Sequence, residues 1–123
     1  MTLRQLHLPF NACILLLACS ISNAADHATE DYSRLIIGKW LGTRKFEVYY
    51  SNGTWGVQRN ENAPIDIDGR TWKIKDSKLI ISFPGVHGIE TGTQTIGVLN
   101  KTQFITKDDG HSFVRDRVVD DAK

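Results

Sequence analysis

Thiols are scarce in this chain and confined to its start. Of 123 residues two are cysteines, Cys13 and Cys19, so everything beyond residue 19 lacks a disulfide, a thiolate nucleophile and a Cys-based metal site. A charge excess of one sign is lacking too. Fifteen Lys plus Arg stand against 14 Asp plus Glu, a formal net charge of +1. Without a basic stripe there is no footing for nucleic acid, and none is expected as a partner. No apolar run approaches the ~20 residues a membrane-crossing helix needs. Repeats and low-complexity stretches are also missing, which leaves one domain to explain.

The first 24 residues have the plan of a secretory signal peptide. Arg4 is an early cation, Ala12 to Ile21 is a short apolar stretch, and Ser22-Asn23-Ala24 is a small-x-small cleavage site. Removing residues 1–24 takes away Arg4 and both cysteines, leaving a mature segment, 25–123, near zero net charge. A small exported domain without disulfides must be held by packing alone. The expected location is periplasmic or secreted. The alternative is a membrane-anchored lipoprotein, because Leu16 to Cys19, "LLAC", resembles a lipobox that would acylate Cys19.

The mature segment is dominated by a period of two, the pattern of half-buried strands. "TRKFEVYY" sets Phe46, Val48 and Tyr50 on one face, expected to point inward, against Lys45, Glu47 and Tyr49. Ser51-Asn52-Gly53 turns the chain, since Asn-Gly tolerates positive φ. "TWGVQR" returns with Trp55 and Val57 inward. After a loop with Pro64 and Asp68-Gly69, "RTWKIK" alternates Trp72 and Ile74 against lysines, and "LIISF" presents Leu79, Ile81 and Phe83 until Pro84-Gly85 ends it. "TQTIGVL", "QFITK" and "HSFVRDR" follow, with turns at Asn100-Lys101-Thr102 and Asp108-Asp109-Gly110. One short helix is expected over Thr29–Ile37, stopped by Gly38. Seven to eight antiparallel strands at hairpin spacing, without crossover helices, predict an all-β up-and-down meander that closes into a small barrel to hide its edges.

Gly38-Lys39-Trp40 after a short helix, hairpin-linked strands, and Arg115 or Arg117 in the last of them resemble the lipocalin-like proteins of the calycin type. The "GTW" after Asn52 and the "W-x-I" at Trp72 are similar to those of short bacterial lipocalin-like domains. The resemblance implies that Gly38 and Trp40 are scaffold, that Trp40 plugs the barrel floor, and that Arg115 or Arg117 packs over it. The fold is what transfers from the resemblance. The leading functional expectation is a binding module rather than an enzyme, holding a small hydrophobic or amphipathic molecule in the barrel. A small barrel enzyme using residues such as His111 and Asp109 is a further class. The chain is shorter than full lipocalins and lacks their disulfide and long C-terminal helix.

No catalytic constellation is present: there is no Gly-x-Ser-x-Gly elbow, no Cys nucleophile, and no helix offering His at i and i+4. His87, His111 and Asp109 could gather at a metal but read as turn residues, and "DIDG" at Asp66 to Gly69 lacks the remaining ligands of a calcium loop. No metal or cofactor is expected. Arginines on apolar faces carry more information. Arg44 shares a face with Phe46, Val48 and Tyr50, Arg59 with Trp55 and Val57, and Arg115 with Phe113. They either bring a guanidinium into the lumen to grip an acid or sit at water-exposed strand ends. The candidate ligand site is Arg44, Phe46, Val48, Tyr50, Trp55, Val57, Arg59 and Trp72, and the candidate scaffold is Gly38, Trp40, Arg115 and Arg117. The alternative is a protein-interaction or inhibitor module with a filled barrel, acting through loops such as Asn60–Asp68 and Pro84–Gly92.

Overall fold

The computed structural model describes Thr29 and residues 31–119. The expected signal segment, residues 1–24, and with it the cleavage site and Cys19, lies outside the described residues. Residues 31–35 are helical, while the first turn of the expected helix includes Glu30, also outside them. Ile36 is wholly buried and Tyr32 and Leu35 pack against the core.

Eight antiparallel strands follow: β1 (Gly38–Leu41), β2 (Phe46–Tyr49), β3 (Trp55–Gln58), β4 (Thr71–Lys75), β5 (Lys78–Gly85), β6 (Gly88–Leu99), β7 (Gln103–Asp108) and β8 (His111–Arg117). Their order, β3-β2-β1-β8-β7-β6-β5-β4, is a meander rolled until its first and last hairpins meet. β1 joins β8 through Trp40↔Arg117 and Leu41↔Asp116. The seam between β3 and β4 is the thinnest part of the wall, crossed by the Thr54↔Thr71 bridge and the Trp72 N–H bond to Gly53 O at 2.9 Å. Further along, residues preceding β4 fold back on β3, with Val57 and Asp66 exchanging both backbone bonds. Every edge amide of β3 thereby finds cover, and the barrel is nearly closed.

Turn chemistry sets the hairpins. Asp76 and Ser77 both take positive φ (53° and 61°), as do Asp109 and Gly110 (47° and 81°), which two-residue connections between twisted strands demand. One expectation fails: Pro84-Gly85 does not end β5. Beyond Ser82, where β4 stops, β5 has a partner on one side only, a position that tolerates proline, and Pro84 pairs with Ile89. The expected loop Pro84–Gly92 is therefore mostly strand.

The strand directions give the barrel a closed end and a mouth. At the closed end Trp40 is fully buried and donates its indole N–H to Ile36 O at 2.8 Å. Arg117, not Arg115, lies over Trp40, 4.0 Å from the ring centroid, and donates to Ile37 O (2.6 Å) and Leu35 O (2.5 Å). Gly38 permits this approach: its φ is +129°, and a Cβ there would overlap Arg117 Nη1. Above this plug Tyr49, Trp72 and Phe104 pack edge to face, Tyr49 stacks on Trp55, and Leu79 is fully buried. The deep lumen is filled.

The face of β2 is the second correction. Tyr49 belongs to the core and Glu47 is buried, so alternation turns Phe46 and Val48 outward, and Tyr50 continues their parity. Lys39 lies over the Phe46 ring at 4.5 Å. Ile65 and Ile67 fold over Gly56, whose missing Cβ leaves them room. The outer surface of β1–β3 thus has an apolar layer of its own, and this layer explains why Val48 is shielded without entering the lumen.

Candidate functional site

The mouth is formed by the β1–β2 connection (42–45), the long β3–β4 loop, the β5–β6 turn at Val86-His87, and the β7–β8 turn at Asp109-Gly110. A hollow of about 460 Å³ opens there, with Trp55, Ile81 and Phe113 as apolar walls and Arg44 and Lys45 on its rim. Its base carries Glu47, Gln94 and Arg115.

That base is a connected polar network inside an otherwise apolar barrel. Cross-strand register builds it: Phe104↔Arg115 and Thr106↔Phe113 on β7 and β8 place Arg115 on the lumen side. Arg115 is 4% exposed and lies over the Phe104 ring at 4.4 Å. Its Nε–H donates to Glu47 Oε1 at 2.9 Å, Nη1 to Thr106 Oγ1 (3.1 Å) and Phe113 O (3.3 Å), and Nη2 to Gln94 Oε1 (3.3 Å). Tyr49 donates its hydroxyl to the same Glu47 Oε1 at 2.6 Å, and the Thr106 hydroxyl donates to Gln94 at 2.5 Å. The buried charge is thus paired and most of its donors are used. Burial, then the neighbouring Glu47 carboxylate, pushes the Tyr49 phenol well above its ordinary pKa, so Tyr49 acts here as a neutral donor.

The sequence-expected site residues separate into four groups. Arg44 and Trp55 line the mouth pocket. Val57 and Arg59 line another hollow with Ala63, Pro64, Asp66 and Arg70, while Trp72 packs on Tyr49 and donates its indole N–H to Tyr50 O at 2.9 Å. Phe46, Val48 and Tyr50 lie on the outside face. The guanidinium in the lumen is that of Arg115, beside Tyr49 and not Tyr50. Glu47, Ile81, Gln94 and Thr106 complete the site and were not among the expected residues. Glu47 and Gln94 had one sequence signal, being polar residues within strands whose other positions suit a barrel wall.

The three tryptophans do different work. Trp40 is the floor. Trp72 ties β4 to the end of β2, and Trp55 reaches across to Ser82 O on β5 at 3.1 Å while presenting its ring to the pocket. His87 and His111 lie in or beside separate turns, and among the described residues no three His, Cys, Asp or Glu side chains gather as metal donors. Among those residues, too, no helix is long and apolar enough to cross a membrane. No family model, curated protein or solved structure matches the chain.

Proposed function

We propose that the chain is an exported lipocalin-like binding module that holds a compact amphipathic molecule in its mouth pocket, without catalysis. The observation that carries this reading is a concave, half-apolar pocket whose charged groups are predominantly cationic: Arg44 and Lys45 at the rim and Arg115 at the base, against the single carboxylate of Glu47. Such a hollow favours a ligand with a short apolar body against Trp55, Ile81 and Phe113 and a carboxylate or similar anionic group. A long chain does not suit it, because aromatic side chains fill the lumen below. The Trp40–Arg117 contact with Gly38 supports the lipocalin-like assignment.

Medium-chain carboxylates and the matching alcohols, titrated against the intact protein, test this through Trp55 emission. Carboxylates should give a saturable change, and Ile81→Trp, which fills the pocket, should abolish it. Arg44→Ala should weaken carboxylates about two- to fivefold relative to alcohols, as expected for an exposed ion pair worth about 0.5–1 kcal/mol. If no amphiphile perturbs the emission, the reading gives way to a protein-interaction module acting through the mouth, where Val86 in the β5–β6 turn is 92% exposed and Ile89 at the start of β6 63%. Export has a separate test. Mass spectrometry of protein from its native host should find an N-terminus at Ala25 or Asp26, and an acylated Cys19 would assign a membrane-anchored lipoprotein instead.

A further inference from the structure

The β3–β4 loop makes a second hollow of about 440 Å³ that shares no lining residue with the mouth pocket. Its construction is local. Asp66 pairs with Val57, Asp68-Gly69 turns the chain with Gly69 at φ +68°, and the return brings Arg70 beside Trp55. Arg70 then lies over the Trp55 ring, 5.5 Å from its centroid, so the two hollows adjoin at this indole.

Two arginines, Arg59 and Arg70, line the hollow with one carboxylate, Asp66. Arg70 Nη1 is 3.1 Å from Asp66 Oδ2 and 3.4 Å from Asp68 O. Its Nε–H, by contrast, is buried and meets no acceptor among the described residues. Arg59 is exposed and forms no ion pair among those residues. A concave surface with apolar walls, a surplus positive charge and an unmet guanidinium donor is short of one component, a second anion.

We propose that this hollow is an anion subsite separate from the mouth pocket, taking a compact oxyanion, carboxylate or phosphate, between Arg59 and Arg70. The planar fork of each guanidinium matches the paired oxygens of either group. An anion that turns the Arg70 guanidinium toward the hollow gives its Nε–H an acceptor and alters the stacking on Trp55, so occupancy has an optical signal.

The test is titration of the intact protein with inorganic phosphate and, separately, acetate at constant ionic strength. Tryptophan emission and the arginine Nε–H resonances are followed together. The expected result is a saturable change in both signals with at least one probe, at a dissociation constant of about 1 mM or below. The tighter probe identifies phosphate or carboxylate as the ligand chemistry. Arg59→Gln, at a surface position that leaves the fold intact, should weaken binding about tenfold, and Arg44→Ala should leave it unchanged. The proposal is overturned by no saturable change with either probe or by an undiminished response in Arg59→Gln. It is equally overturned by a response lost in Arg44→Ala, which would assign the anion to the mouth pocket.

Discussion

Truncating Glu47 removes the one carboxylate on which two buried donors converge. Arg115 Nε lies 2.9 Å and the Tyr49 hydroxyl 2.6 Å from its Oε1, and Arg115 is 4% exposed. Breaking a buried ion pair from one side leaves an uncompensated charge and costs about 3–5 kcal/mol. A domain of this size has only about 5–15 kcal/mol of stability in all, so Glu47→Ala should forfeit about a fifth of it or more. Removing both charges is a different perturbation. Glu47→Leu with Arg115→Met spares the desolvation of both ions and should regain most of the loss. Urea unfolding with an unchanged m-value is the assay, and the single variant should lower the midpoint by more than about 1 M. The competing possibility is water entering through the mouth and solvating the guanidinium. In that case Glu47→Ala would cost under about 1 kcal/mol, as for an exposed pair, and the description of a dry network would be refuted. A double variant less stable than the single one would refute it equally.

Trp40→Ala should cost about 3–5 kcal/mol in the same unfolding experiment, since a wholly buried indole with a hydrogen-bonded N–H is lost; near wild-type stability would mean that it is not the plug. Gly38→Ala should destabilise by about 1–3 kcal/mol through its positive φ, with displacement of Arg117 added, and a neutral result in thermal denaturation would contradict the close approach. The raised Tyr49 pKa, caused first by burial and then by Glu47, fixes a pH dependence. An unfolded tyrosine ionises near pH ~10 while the folded one stays protonated, so this stability is whole below about pH 10 and is lost as pH rises toward the folded pKa. Tyr49→Phe should therefore flatten the alkaline decline seen by circular dichroism, and an unchanged alkaline profile would show that Tyr49 is not the group responsible.

Local chemistry makes the barrel legible in the sequence. Asn-Gly and Asp-Gly turns and two-residue alternation located the strands, because those signals act over a few residues and need no partner. Trp40 is expected as the floor on other grounds, the resemblance of its Gly-x-Trp context to that of lipocalin-like proteins. The face of β2 is not legible in this way. Phe46, Val48 and Tyr50 are the more apolar set, and the hydrophobic pattern favours them for the interior. Inside the barrel, however, Arg115 enters from β8, 68 residues away, and requires Glu47, while Tyr49 meets Trp55 and Phe104. A one-residue difference in parity exchanges every side chain between faces, and the deciding contacts are long-range. The return of the loop along β3, which covers Gly56 with Ile65 and Ile67, supplies the shelter that lets the apolar set stay outside.

The same long-range contacts decide where a ligand can sit. With Phe46, Val48 and Tyr50 inward, an apolar lumen with polar groups at its mouth would follow, suited to a long hydrocarbon tail. With Glu47 and Tyr49 inward, the polar groups lie midway down and the aromatic plug lies beneath them. Among the described residues the lumen opens above the network, between it and the rim cations Arg44 and Lys45. A ligand there meets charge below, charge at the rim and apolar walls between, so its size is limited by the depth to Arg115 and its polarity by groups that already satisfy one another. Affinity must then come largely from contact with Trp55, Ile81 and Phe113, and selectivity from the rim, because Glu47 already neutralises the arginine at the base.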